Sequence, residues 1–199
     1  ALISDAGTPL ISDPGYGLVS QCREAEVNVV PLPGPCAAIT ALCAAGLATD
    51  RFKFEGFLPV KAVAKQQALQ RLLTETSTSV FYESPRRVAG TVKQIVAELG
   101  ENRKMVVAKE LTKTFETFYS GSAQACLTWL EADANHQRGE FVLMIAGEKQ
   151  DQTDVSADAL NLLKLLVKEL PLKKAAAVTA EQFGLKKNQL YQLGLDLNL

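Results

Sequence analysis

The chain has 199 residues, of which 47% are hydrophobic and 22% are charged, and its formal net charge is −1. This composition is that of an ordinary globular protein, long enough for one large domain or two small ones. A net charge so close to zero excludes a protein that is drawn to nucleic acid or membranes by a global field. No apolar run reaches the roughly 20 residues that a membrane-spanning helix needs, and no signal peptide is recognisable. These features predict a cytoplasmic protein.

Several common chemistries lack their sequence motifs. The four cysteines have neither CxxC nor zinc-like spacing, so we expect reduced thiols in the core and no metal site. The single histidine, His136, lies in a polar stretch that is more typical of a loop than of a general base. The chain has no P-loop, no GxGxxG after a strand and no HExxH. Walker-type phosphoryl transfer, zinc chemistry and a Ser–His–Asp triad are therefore not predicted.

The opening stretch, residues 2–15, predicts a buried strand, a loop of small residues and the start of a helix. This order places Asp5 at the carboxyl edge of a parallel sheet, where open α/β sheets bind their ligands. Ala6, Gly7 and Thr8 carry little bulk, so a ligand can lie against their backbone. A carboxylate there suits hydroxyls, an ammonium or a sulfonium better than phosphate. A capped strand-to-helix turn without a ligand is the alternative.

A second strand, loop and helix follow the first set. The pattern predicts a helix over residues 14–24, a buried strand over 27–32 and a helix of small residues over 36–46. This rhythm is typical of a parallel α/β layer, and we assign residues 1–48 to the C-terminal part of a first α/β domain. Because one strand cannot form a sheet, we expect neighbouring strands in a segment that precedes Ala1.

The middle of the chain, residues 49–149, predicts a second α/β domain. Some of its strands follow one another as hairpins, which indicates a mixed rather than a purely parallel sheet. The predicted strands cover residues 52–57, 77–82, 105–110, 115–120 and 140–146, and the predicted helices cover 61–73, 84–99 and 122–132.

The C-terminal part, residues 155–199, predicts a small helical module after a polar linker over 149–154. Three short helices are expected, over residues 157–170, 171–183 and 186–193. The module holds six lysines against four acidic residues, which gives it a local net charge of +2. Short helices with basic residues are typical of a helix-turn-helix that binds nucleic acid. A solvated packing module explains the same pattern.

Three charged stretches follow or begin predicted strands, over residues 82–87, 109–113 and 139–141. Side chains from different strands can converge at such positions. The basic residues among them that could face phosphates are Arg86, Arg87, Lys109 and Lys113, and exposed surface charge is the alternative for each.

Five motifs occur in one order along the chain. They are Ser4-Asp5-Ala6-Gly7-Thr8-Pro9 with Ser12-Asp13-Pro14-Gly15, then Pro31-Leu32-Pro33-Gly34-Pro35, Glu55-Gly56-Phe57-Leu58-Pro59, Tyr82-Glu83-Ser84 with Arg87, and Glu110-Leu111-Thr112-Lys113. Together they resemble the ribosomal small subunit methyltransferase I family, the cytidine 2′-O-ribose methyltransferases of bacterial small-subunit RNA, in the tetrapyrrole-methylase-like superfamily. The resemblance runs from Leu2 to about Gly147, and the C-terminal module is also similar.

The resemblance implies two α/β domains of the tetrapyrrole methylase type, the first incomplete, with a small C-terminal helical module. It further implies S-adenosylmethionine as cofactor, a homodimer, and small-subunit ribosomal RNA or the assembled small subunit as partner. Arg87 and Lys113 would contact the RNA. The residues implied to bind the cofactor are Asp5, Ala6, Gly7, Thr8, Ala37, Ala38, Tyr82, Glu110, Leu111, Glu140 and Phe141.

The chain departs from the family pattern mildly at Lys109, where Arg is frequent, and at Cys36, where Ser is frequent. The family's glycine-containing cofactor loop and its acidic-Thr-Arg motif would both precede Ala1. We therefore assign no catalytic residue and expect this stretch by itself to be inactive. Two other functions stay open: a methylase of tetrapyrroles or other small molecules, and a non-catalytic RNA-binding module.

Overall fold

The computed structural model describes residues 1–5, 7–148, 155 and 157–199. Contacts divide the chain into two compact units, Ala1–Glu148 and Lys149–Leu199. The linker predicted over residues 149–154 lies outside the described residues. The domain boundary predicted near residue 48 falls within the first unit and stays a prediction.

A five-stranded mixed sheet forms the centre of the first unit. The strands are β1 (Phe52–Phe57), β2 (Thr78–Glu83), β3 (Lys104–Lys109), β4 (Thr117–Ser122) and β5 (Phe141–Ile145), in the spatial order β1-β2-β5-β3-β4. β1 and β2 pair in parallel, whereas β2–β5, β5–β3 and β3–β4 pair antiparallel. The predicted mixed sheet is confirmed, and its five predicted strands agree with the observed ones to within a few residues.

Helices cover the two faces of the sheet unequally. Successive residues of β3 alternate between two cores, so Met105 and Val107 face the larger core and Val106 and Ala108 the smaller one. The larger core lies under α3 (Ala62–Gln70), α4 (Val88–Leu99) and α5 (Ala123–Ala132). The smaller core lies under α2 (Ala37–Ala44), whose small residues let it approach the sheet closely.

The opening segment differs from the prediction. Residues 2–4 and 27–32 form no strand within the part of the chain that the structure describes, and Ile3 and Leu32 are 84% and 81% exposed. A strand exists only through hydrogen bonds to a neighbouring strand, and neither segment has such a neighbour among these residues. Asp5 is exposed and does not stand at the end of a sheet strand, which corrects the predicted parallel layer. The helices α1 (Tyr16–Glu24) and α2 are confirmed.

The prediction of buried thiols is correct for one cysteine only. All four cysteines are free, but Cys43 is exposed and Cys22 and Cys36 are half-buried. Cys126 alone is buried, on the inward face of α5. Cys22 lies on α1, which has no buried residue, Cys43 lies on an exposed side of α2, and Cys36 packs only partly against the smaller core.

The second unit consists of α6 (Ala157–Leu166), α7 (Leu172–Phe183) and α8 (Lys187–Asp196), which confirms the three predicted helices. Leu163, Ala175, Ala176 and Leu190 are fully buried in its core. Gly184 ends α7 in the left-handed conformation (φ 64°), which allows the chain to turn at once into α8. Within the described residues of the chain, no helix is long and apolar enough to span a membrane.

Candidate functional site

A pocket of about 390 Å³ lies in the first unit, where β1 and β2 end and β5 begins. Its volume falls in the range of roughly 300–1,000 Å³ that is usual for small-molecule sites. The parallel pairing of β1 with β2 and the antiparallel pairing of β2 with β5 bring these three ends to one edge of the sheet. The residues that line the pocket are Ile11, Ser12, Asp13, Ala37, Phe57, Tyr82, Glu83, Ser84, Pro85, Leu111, Glu140, Phe141 and Val142.

Two loops of small residues meet beside this edge. The amide nitrogen and the hydroxyl of Thr8 both donate to the carbonyl oxygen of Pro35, at 2.8 and 2.9 Å. Gly7 has φ 116°, and a Cβ there would lie 2.8 Å from the same oxygen, so no larger residue fits without displacement. Gly7 and Thr8 therefore pack against Pro35 of the Pro-Gly-Pro turn, which precedes the lining residue Ala37.

Tyr82 joins the sheet to α2 at the pocket wall. Its ring lies edge-on to Phe54 and Phe57, with centroid distances of 4.9 and 5.8 Å. Its hydroxyl oxygen accepts a hydrogen bond of 3.2 Å from the backbone N–H of Ala38. Burial raises the pKa of the Tyr82 phenol, so this hydroxyl stays protonated at neutral pH and keeps its own proton to donate.

Three carboxylates line the pocket, and their surroundings differ. Glu83 has a fully buried side chain that is paired with Arg87, at 3.3 Å from Oε1 to Nε. Glu140 is 83% exposed and pairs through Oε2 with Nζ of Lys113 at 2.9 Å. Asp13 is half-buried and has no ion pair or hydrogen bond among the described residues. None of the lining residues is cationic, so the pocket favours positive charge.

Lys113 bridges the loop after β3 and the residue before β5. Its ammonium also donates to Oε1 of Glu110 at 3.1 Å, and the same oxygen accepts the backbone N–H of Glu140 at 2.8 Å. The Glu140 amide and then Lys113 hold the pKa of Glu110 below its ordinary value. The pKa of Lys113 is raised by Glu140 and Glu110 in turn. At neutral pH Glu110 and Lys113 are therefore both charged.

The residues implied by the family resemblance fall into three groups. Ala38 and Glu110 lie directly behind the pocket wall, bonded to Tyr82 and Glu140. Asp5, Gly7 and Thr8 are not among the lining residues, and Ala6 lies outside the described part of the chain. The implied residues that do line the pocket are Ala37, Tyr82, Leu111, Glu140 and Phe141.

The two RNA contacts that the family resemblance implies have different surroundings. Lys113 is 47% exposed, and its ammonium is shared between Glu110 and the lining residue Glu140. Arg87 is 26% exposed, and its guanidinium is bonded to the carboxylate of Glu83 and to the backbone carbonyl of Leu58. Both roles in RNA binding stay predictions.

Sequence reasoning did not assign several lining residues to the pocket. They are Ile11, Ser12, Asp13, Phe57, Glu83, Ser84, Pro85 and Val142. Most of these residues belong to the ordered motifs, and this membership was the available sequence signal for the pocket. The apolar side chains among them carry no chemical signature of a ligand. By its type and position Ser12 or Asp13 could cap a helix, but the helix begins only at Tyr16 and its N-cap residue is Gly15.

The single histidine, His136, is not among the residues that line the pocket. His136 lies in the 3₁₀ turn Ala134–Gln137 and stacks on Trp129, with ring centroids 4.2 Å apart and planes at 14°. Its Nδ1 is 2.6 Å from the carbonyl oxygen of Trp129. In the described part of the chain no group of three His, Cys, Asp or Glu residues is arranged to hold a metal ion.

Comparison with known proteins identifies relatives of both units. The family model of tetrapyrrole (corrin/porphyrin) methylases matches residues 1–127, and the model of the RsmI C-terminal HTH domain matches residues 153–198. Two solved methyltransferase structures match part of the chain at low identity. The methyltransferase CobJ has a TM-score of 0.46 at 17% identity, covering 65% of this chain and 55% of its own. The cobalt precorrin-4 methyltransferase CbiF has a TM-score of 0.47 at 15% identity, covering 65% and 56%.

Curated relatives match almost the whole chain. Ribosomal RNA small subunit methyltransferase I of Escherichia coli O157:H7 is 55% identical over 196 residues, which are 98% of this chain and 68% of the relative. The protein of the same name from Haemophilus influenzae is 55% identical over 98% of this chain and 70% of its own length. The one from Synechocystis is 45% identical over 99% and 71%. The chain belongs to the ribosomal RNA small subunit methyltransferase I family, within the tetrapyrrole methylases, as its five ordered motifs predicted.

Proposed function

We propose that the protein transfers a methyl group from S-adenosylmethionine to the 2′-hydroxyl of a cytidine in small-subunit ribosomal RNA, and that the pocket at the sheet edge binds the cofactor. One observation carries the proposal: no lining residue is cationic, and the carboxylate of Asp13 has no ion pair or hydrogen bond among the described residues. The other two lining carboxylates, Glu83 and Glu140, are already paired with Arg87 and Lys113. A site of this charge favours a sulfonium over a phosphate. Family membership supports the reaction class, since the relatives are named as methyltransferases of ribosomal RNA.

The lining residues fit the other parts of S-adenosylmethionine as well. Ile11, Phe57, Leu111 and Val142 supply apolar surface of the kind that a flat adenine base needs. Ala37 carries little bulk, so the cofactor can approach the start of α2. The bound cofactor would supply an electrophilic methyl group.

The contribution of this chain to the reaction is binding and orientation. Asp13 is the lining carboxylate that has no ion pair or hydrogen bond among the described residues, so we assign it the role of pairing with positive charge in the pocket. Tyr82 holds its proton and can donate it to a ligand oxygen, while Ala38 fixes the hydroxyl in place. Methyl transfer to a hydroxyl needs in-line alignment, and fixed positioning by such groups is a large source of rate acceleration.

We propose that the second unit contacts the RNA. Lys173 and Lys174 lie in the first turn of α7, and Lys186 and Lys187 lie at the start of α8; all four are exposed. Exposed lysines can neutralise phosphates without reading sequence. With ribosomal RNA or the assembled small subunit as partner, we place the protein in the cytoplasm, and we propose that it acts as a homodimer, as the family resemblance implies.

Calorimetric titration of S-adenosylmethionine tests the cofactor site. We expect the wild-type protein to bind and the Asp13→Asn variant to bind roughly tenfold more weakly, because it lacks the unpaired charge. Asp50→Asn is the matched control, since Asp50 is exposed and lies outside the pocket lining. A wild-type protein that binds RNA with a steep salt dependence but does not bind the cofactor would contradict the proposal and favour an RNA-binding module.

Transfer is tested with labelled cofactor and small-subunit ribosomal RNA, using the full-length protein. The label should appear at the 2′-hydroxyl of a cytidine, and digestion to nucleosides locates it. Label on a base, or on a small molecule but not on RNA, would contradict the proposed substrate.

A further inference from the structure

We propose that Arg87 is a positioning residue of the cofactor pocket, which joins the ends of β1 and β2 and thereby fixes two of the pocket walls. This inference rests on the proposed function, because the walls are those of the proposed cofactor site. It gives Arg87 a role other than contact with the phosphates of the substrate.

The guanidinium of Arg87 contacts both strand ends directly. On one side Nη2 donates to the carbonyl oxygens of Leu58 and Pro59, at 2.7 and 3.4 Å. On the other side Nε lies 3.3 Å from Oε1 of Glu83. Leu58 and Pro59 follow the last residue of β1, and Glu83 is the last residue of β2. One side chain therefore spans the gap between two neighbouring strands.

The carboxylate of Glu83 is held from several directions. Its side chain is fully buried, Oε1 accepts the backbone N–H of Ser84 at 2.8 Å, and Oε2 accepts the hydroxyl of Thr91 at 2.8 Å. A buried charge without a partner is strongly unfavourable, so the position of Glu83 depends on Arg87. The buried pair holds the start of α4 against the end of β2, since Arg87 and Thr91 both belong to this helix end.

Both ends that Arg87 joins contribute to the pocket. Phe57, which precedes Leu58, lines one wall, and Tyr82, Glu83 and Ser84 line the next. A shift of either end changes the distance between these walls. The pocket geometry thus depends on a contact that lies behind it, since Arg87 itself is not a lining residue.

The neighbouring arginine in the same turn, Arg86, provides a comparison with Arg87 because its side chain is a surface charge. Arg86 is exposed and has no ion pair or hydrogen bond among the described residues, whereas the side chain of Arg87 is 26% exposed. The planar fork of a guanidinium can contact a carboxylate and a carbonyl at once, but the ammonium of lysine cannot reproduce this geometry. Lysine does retain the charge that a phosphate contact requires.

The test compares Arg87→Lys and Arg87→Met with Arg86→Met as the matched control. For both Arg87 variants we expect the dissociation constant of S-adenosylmethionine to rise roughly tenfold, because small displacements of a binding site have effects of this size. Arg86→Met should leave it unchanged. The slope of RNA affinity against salt concentration should be unaffected by Arg87→Met. Arg87→Lys with wild-type cofactor affinity, or a salt slope reduced by about 0.7–0.9 in Arg87→Met, would overturn the proposal.

A double variant tests whether Arg87 acts through Glu83. If it does, Arg87→Met combined with Glu83→Gln should weaken cofactor binding no more than the stronger single variant. Effects that multiply would overturn the proposal.

Hydrogen exchange gives a readout that needs no cofactor, so failure of this inference can be told from failure of the proposed function. We expect the amides at the paired ends of β1 and β2, where Phe57 lies opposite Tyr82, to exchange faster in Arg87→Lys than in wild type, while the amides of β3 stay protected. Unchanged exchange at these two strand ends would overturn the positioning role whether or not the wild-type protein binds S-adenosylmethionine.

Discussion

β5 and the segment of residues 27–32 are both runs of apolar residues, yet they lie in opposite environments. Every residue of β5 is at most 4% exposed, whereas Val27, Val30 and Leu32 are 53%, 67% and 81% exposed. β5 has hydrogen-bonded neighbours on both sides, β2 and β3, and a hydrophobic core on each face. Among the described residues, the segment of residues 27–32 has neither a hydrogen-bonded neighbouring strand nor a hydrophobic core on its faces. Burial of an apolar run is therefore a property of its neighbours as much as of its composition.

The pocket has one side in the packed sheet and its other side in the more exposed residues near the start of the chain. Its sheet side is part of the continuous core of the first unit, with Phe141 and Val142 in the central strand β5. Its other side comes from residues 11–13, which precede α1, a helix without a single buried residue. We infer that ligand binding orders the opening segment more than it orders the sheet, since the sheet is already fixed by packing.

Leu143→Ala in β5 should have the largest effect on stability. The Leu143 side chain is fully buried in the larger core, and removing it leaves a cavity that the packed sheet cannot close. The expected loss is about 2–5 kcal/mol in the free energy of unfolding, measured by urea denaturation. Leu32→Ala is the matched control, and its effect should stay within about 0.5 kcal/mol. Equal losses at the two leucines would show that residues 27–32 are covered in solution.

Thiol reactivity provides the second test of the contrast. Burial raises the pKa of the Cys126 thiol to about 11, and this thiol lies under the sheet, whereas Cys43 is exposed on α2. With a disulfide reagent near neutral pH, we expect Cys43 to react first and Cys126 to react more slowly by on the order of a hundredfold or more, because it reacts only after local opening.

The half-buried cysteines should react at rates between those of Cys43 and Cys126. Cys22 and Cys36 belong to the opening segment and need only small movements to become accessible. The Cys43→Ser variant identifies the fastest phase, which should disappear. A Cys126 thiol that reacts as fast as the other three would contradict the difference in packing between the two regions.

Most of the fold could be predicted from local patterns. The period of apolar residues in α4 places Val88, Val92 and Ile95 on one face, and all three are fully buried. The hairpin rhythm of β3 and β4 predicted antiparallel pairs, which the structure confirms. The strands predicted at residues 2–4 and 27–32 were wrong because a pattern reports only the tendency of a segment, while strand formation requires a partner elsewhere in the chain.

The site was less predictable than the fold. Ordered motifs indicated the correct strand ends, and Tyr82 and Glu140 do line the pocket. The assignment of Arg87 to phosphate rested on its charge and its place after a strand, and both are equally compatible with an internal ion pair. The contacts of Arg87 with Glu83 and Leu58 depend on tertiary structure, so the sequence could not reveal them, and its contact with RNA stays a prediction.

Acid should weaken the sheet region through Glu75, in the loop before β2, and this is the smallest of the expected effects because the group lies near the surface. Hydrogen bonding and ion pairing with Lys53 of β1, followed by the backbone amide of Ser77, lower the pKa of Glu75 from 4.5 to about 2. A carboxylate with a lowered pKa stabilises the folded state at pH values above its ordinary pKa. Its contribution is lost progressively as the pH falls from about 4.5 towards 2.

Melting temperatures of wild type and Glu75→Gln between about pH 6 and pH 2 measure this contribution. The difference between the two proteins should be largest near the upper end of the range and should shrink towards the lower end, where Glu75 is protonated in the unfolded chain and increasingly protonated in the folded one. Glu131→Gln is the matched control, since Glu131 is exposed and has no ion pair among the described residues, and it should leave the pH profile unchanged. Within the described part of the chain, the ion pairs of the first unit all lie beyond residue 52, so acid should act on the sheet and its helices rather than on the opening segment. A Glu75→Gln variant that differs from wild type by the same amount at every pH would show that the lost contact is not electrostatic.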